Sequence, residues 1–166
     1  SPVSNAMAEP TLWGIYGEHS MHDCPVINRE TAKEVIAISK TDLSPLMAKY
    51  GVTEIVDMYH SGLEHTFLWA VKTNDPHKLE EFSIELGVAR WNYLKFVPLR
   101  TFAEGVLQDV KALHGLENWE PDTLPDYSDP EASKGSDDSP KAATLWGIYG
   151  AHSMHDCPVI NRKTAK

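Results

Sequence analysis

Residues Thr11 to Lys33 are written a second time at Thr144 to Lys166, offset by 133, and of the 23 paired positions only Glu18 (Ala151) and Glu30 (Lys163) differ. The same stretch is therefore expected to open a domain twice. Only the first copy is followed by enough chain to complete one. An isolated strand with half a helix cannot bury Leu145, Trp146, Ile148 and Tyr149 by itself. The second copy reads best as the start of a truncated tandem domain. The other reading is a strand that exchanges into the sheet of another subunit.

Between the copies the composition changes. Residues 116–143 carry eight acidic side chains against Lys134 and Lys141, so −6 of the formal net charge of −9 lies there, with four prolines and few aliphatics. Such a stretch is a linker without a core. The expected organisation is a tail at 1–10 with a tag remnant (Ser4-Asn5-Ala6 ahead of Met7), a domain at 11–115, the acidic linker at 116–143 and the partial repeat at 144–166. No basic stripe is available to neutralise phosphates, which argues against a nucleic-acid partner. No long apolar run or basic-then-apolar leader points to a membrane or to secretion. Cys24 and Cys157 are one repeat position counted twice, so a single domain has one thiol and no internal disulfide partner; a reducing, cytoplasmic setting is the simpler expectation.

Along the first copy, Leu12–His19 alternates as a strand with two largely apolar faces, as a central strand requires. Asp23 or Asn28 can cap the following helix, Pro25 suits its first turn, and Ala32, Val35, Ile36, Leu43, Leu46 and Met47 recur at helical spacing up to Gly51. Ser44-Pro45 breaks that helix in two, with Ser44 as the second cap. Strands are predicted at Val52–Tyr59, His65–Thr73 and Trp91–Leu99. A helix from Asn74-Asp75-Pro76 closes at Gly87, and a final helix opens with the capping box Thr101-Phe102-Ala103-Glu104.

This is a β-α-β-β-α-β order with a C-terminal helix: an α+β, ferredoxin-like arrangement with an antiparallel sheet in the order 4-1-3-2. Helices would cover one face only. The apolar side chains on the other face call for a second copy of the sheet, hence a homodimer or higher oligomer.

Several residues also carry a resemblance. A first strand ending in His19, Cys24-Pro25 with Asn28 following, His65 heading the third strand, and Trp91-Asn92 before Val97-Pro98 and Thr101-Phe-Ala-Glu together resemble an uncharacterised family of small bacterial and archaeal proteins in the dimeric α+β barrel superfamily. The likeness covers about residues 11–110. The family usually has a Pro after the His and an acidic residue between His and Cys; Ser20-Met21-His22-Asp23 departs from this, so no role carries over to His22. The resemblance implies the barrel dimer and no particular reaction. Monooxygenase or isomerase chemistry would follow from fold analogy alone.

In this topology strands 1 and 2 end, and strands 3 and 4 begin, at one edge of the sheet. His19, His60, His65 and Trp91-Asn92 are therefore expected at one rim, with Cys24 opening the helix that leaves it. Three imidazoles and a thiol suit a transition metal such as zinc, copper or iron. Strands 1 and 3 are neighbours, so His19 and His65 could both reach one ion. A pocket walled by Trp13, Phe67, Trp69, Trp91 and Asn92 could instead hold a small planar ligand or haem. A thiol at a helix N-terminus would be a nucleophile or a redox-sensitive group. The plainer reading makes His60 solvated, Cys24 a small buried residue, Asn92 a backbone partner and the aromatic residues core or dimer interface. Two functions follow: a metal-binding or small-ligand module, possible as an enzyme, or a non-catalytic assembly protein whose duplicated strand drives oligomerisation.

Overall fold

In the computed structural model the described residues are 8–118 and 145–153. The chain divides into two units, Ser1–Arg100 and Thr101–Lys166.

The first unit is built on an antiparallel sheet of β1 (Thr11–Glu18), β2 (Val52–Ser61), β3 (Thr66–Thr73) and β4 (Tyr93–Pro98). The spatial order is β2-β3-β1-β4, which read from the β4 edge is 4-1-3-2. β1 is central because both of its edges are taken: Ile15 lies opposite Trp69 of β3 and Phe96 of β4. Ile15, Phe67 and Val71 of the sheet, Val52 at its edge, Leu79 and Phe82 of α3 (Leu79–Leu86) and Val88 form the buried core.

The long helical segment after β1 is two helices, α1 (Arg29–Ser39) and α2 (Ser44–Tyr50). Asn28 caps α1, its Oδ1 accepting from the backbone N–H groups of Glu30 and Thr31 at 2.9 and 3.2 Å. Val35 and Ile36, expected on the buried stripe, are exposed; α1 instead turns Thr31 and Ile38 inward, one i,i+7 row. Ser44 does not cap α2. The N-cap position is Leu43, and the Asp42 carboxylate just ahead of it accepts from the Ser44 N–H at 2.9 Å. Gly51 closes α2 and Gly87 closes α3, both in the left-handed region (φ 70° and 98°) that glycine adopts without a Cβ penalty.

In the second unit the Thr101 hydroxyl accepts from the Glu104 N–H, as a capping box requires, but the first turns at Phe102–Leu107 are wound as a π-helix before α4 (Gln108–His114). Most of the acidic linker, residues 119–143, lies outside the described residues, as does the end of the repeat. Within residues 145–153 no helix or strand is formed, and Leu145, Trp146, Ile148 and Tyr149 are exposed. Among the described residues no helix is long and apolar enough to cross a membrane.

Candidate metal centre

The β1–β3 register pairs Glu18 with Thr66, and it continues one step past both strand ends. The His19 N–H donates to the His65 carbonyl at 3.0 Å. His19 and His65 are thus directly opposed, and opposed residues of an antiparallel pair share a face at about 5 Å. His65 is not part of the strand. It takes φ 54°, the sole non-glycine residue with positive φ among those described. Histidine enters this region more readily than most side chains, but at an energetic cost.

Cys24 arrives from a tight loop rather than from a helix start. Asp23 N–H donates to the Ser20 carbonyl at 3.1 Å, and the Cys24 carbonyl accepts from Ile27 and Asn28 N–H at 2.9 and 2.7 Å. Asn28 ties this loop to α1, because its Nδ2 donates to the His22 carbonyl at 2.8 Å while its oxygen caps the helix. Pro25 therefore sits in a turn ahead of the helix, and Cys24 receives no helix-terminus field. The thiol is free and 1% exposed.

Asn92 fixes the chemistry of His19. Its Nδ2 donates to the Val88 carbonyl at 2.9 Å, which turns Oδ1 towards His19 Nδ1 at 2.8 Å. A carbonyl oxygen can only accept, so Nδ1 carries a proton, and of the two neutral tautomers the bond selects the one whose Nε2 has the lone pair. That Nε2 is buried without a hydrogen-bond partner, as are Nδ1 of His65 and Nε1 of Trp91; His19 is 7% exposed. An unpaired buried polar atom costs about 1–3 kcal/mol.

His19, Cys24 and His65 each offer one donor atom, and the three atoms lie within 4.8 Å of one another. Around a tetrahedral ion with bonds of about 2.0–2.3 Å, donors stand roughly 3.3–3.6 Å apart. Side-chain shifts on the order of 1 Å would close the set.

His60 reaches the same rim from β2 but is not in this group. Its exposed ring stacks on His19 with centroids 5.5 Å apart and planes 8° apart. Partial loss of water on the side facing His19, then the neighbouring His19 and His65, push its pKa below the usual histidine value. Trp91 meets His19 edge-on at 5.2 Å and walls the site, and Phe67 stands behind it, 6.4 Å from the Trp91 ring. Trp69 touches it only through Phe67, at 5.9 Å. Trp13 does not line it. It shares a strand face with His19 but stands six residues away, about 20 Å along β1, with its indole N–H on Thr11.

Glu18 and Glu64 are exposed and form no dyad with the histidines beside them in the chain. A concavity between α1, α2 and α3 lies elsewhere; of its charged side chains, Lys49 pairs with Glu85 and Arg90 with Glu34. Asn92 as a link to His19 was not legible as such, since its side-chain direction depends on the Val88 carbonyl. The chain matches no known protein family, no curated protein and no solved structure.

Proposed function

We propose that the first unit is a transition-metal-binding module in which His19, Cys24 and His65 ligate one ion. The observation that carries this is the convergence of three donor groups, two buried and one half-buried, with the Nδ1–H of His19 taken by Asn92 and its Nε2 given no other partner. One thiolate and two imidazoles suit zinc or copper better than magnesium or calcium, with iron as a further candidate. Three converging protein donors favour a bare ion over haem, whose porphyrin takes four positions and leaves at most two for the protein.

The ferredoxin-like assignment and the dimeric α+β barrel belong to the same reading. Leu12, Tyr16, Leu68 and Leu99 lie on the sheet face opposite the core, together with exposed Tyr59 and Val97. A second copy covering them would make the barrel.

The competing function, assembly by strand exchange, is favoured by one observation: Leu145, Trp146 and Ile148 of the repeat are three-quarters exposed or more.

Metal content separates the two. Purified protein exposed to zinc and dialysed should keep one ion per chain, and His19→Ala, Cys24→Ser and His65→Ala should keep none while retaining the wild-type circular dichroism spectrum. Metal-free wild-type protein would leave the assembly reading.

A further inference from the structure

Three protein donors do not fill the shell of a four-coordinate ion. Structural zinc sites close it with a fourth side chain, whereas reactive ones leave a position to solvent or substrate. The remaining question is whether His60, the next imidazole at the rim, supplies the fourth bond.

Its geometry argues against that. An imidazole nitrogen carries its lone pair in the ring plane, so an ion bound to it lies in or near that plane. The rings of His19 and His65 are inclined at 65°, and their planes cross; one ion can lie in both. The rings of His19 and His60 are stacked, 8° from parallel with centroids 5.5 Å apart, so their in-plane lone pairs do not converge on one ion. His60 would have to leave its stack and rotate to join His19 on one ion. Among the described residues, the group within common reach is His19, Cys24 and His65 alone. An open pocket lined by Glu18, Ser20 and Tyr93 borders His19, whose Nε2 lies buried behind it.

Resting on the metal reading above, we infer that the ion keeps one coordination position open to an exogenous ligand, and that the ligand class is a small monoanion. A divalent ion with one thiolate and two neutral imidazoles retains a net charge of +1, which a monoanion neutralises. The centre is therefore built to bind or activate a small molecule, with His60 and Trp91 as its walls.

Cobalt(II) loading of the full chain with azide as the probe tests this. A thiolate-to-cobalt charge-transfer band reports that the ion sits on Cys24, and the visible ligand-field bands report the fourth position. The expected result is a saturable shift of the ligand-field bands on azide addition, with the charge-transfer band retained. Bands that azide does not move would overturn the open position; if His60→Ala then made them azide-sensitive, His60 would be the fourth ligand. Absence of the charge-transfer band on cobalt addition would remove the centre itself, a failure distinct from an azide-silent but loaded site.

Discussion

His19 and His65 stand opposite each other one step beyond the last paired residues of β1 and β3, the His19 N–H donating to the His65 carbonyl at 3.0 Å. That single backbone bond extends the ladder far enough to bring two imidazoles to one point beside the Cys24 thiol. The donor set is thus a product of strand register, which a well-paired central strand holds firmly.

Asn92 acts on the ion through His19. Replacing it with Ala removes the acceptor that fixes the tautomer, and loss of such a partner typically lowers metal affinity about 10–100-fold. Chelator competition should show that loss for Asn92→Ala, and a much smaller one for Asn92→Asp, whose carboxylate still accepts from Nδ1. Equal affinities for wild type and Asn92→Ala would mean the bond does not orient the ligand.

The left-handed backbone at His65 separates strain from ligation. His65→Gly and His65→Ala both delete the imidazole, but only glycine adopts φ 54° without a Cβ penalty. Metal-free His65→Gly should be more stable than His65→Ala by about 1 kcal/mol in denaturant titration. Equal midpoints would show that no strain is held there.

Gly17 seats the aromatic wall. A Cβ at this position would meet the Phe67 ring at 2.0 Å, and Phe67 in turn packs on Trp91. Gly17→Ala should cost about 1–3 kcal/mol through overpacking. It should also weaken metal binding, because Trp91 contacts His19. A thermal midpoint within error of wild type would place Phe67 elsewhere.

One pH effect lies far from the centre. The hydrogen bonds from Lys49 and Tyr50 hold the Glu85 carboxyl below its usual range, tying α3 to α2. A depressed folded pKa gives stability that is present above the unfolded value, near 4.5, and is lost as pH falls through the folded one. Wild type should therefore melt higher than Glu85→Gln at neutral pH, with the gap closing below about pH 4. The pair is exposed, so the gap should be small. A gap independent of pH would assign the effect to packing.

The strands, their antiparallel sense and the meeting of His19 with His65 were legible because a period of two and short connections leave few ways to lay out four strands. Cys24 was legible as a neighbour but not in its setting: Asn28 caps the helix, which leaves Pro25 in a turn and the thiol in a loop. Trp13 has the right face and the wrong end, a distance that counting residues along β1 already contains. The stacking of His60 on His19 and the two bonds of Asn92 could not be read, because side-chain rotation is set by tertiary neighbours rather than by the local pattern.

The most direct measurement of the centre is X-ray absorption at the zinc edge of the loaded protein. Ligation by Cys24, His19 and His65 should give one sulfur at about 2.3 Å and two imidazole nitrogens at about 2.0 Å, with the sulfur lost in Cys24→Ser. A shell of oxygen and nitrogen alone in the wild-type protein would contradict it.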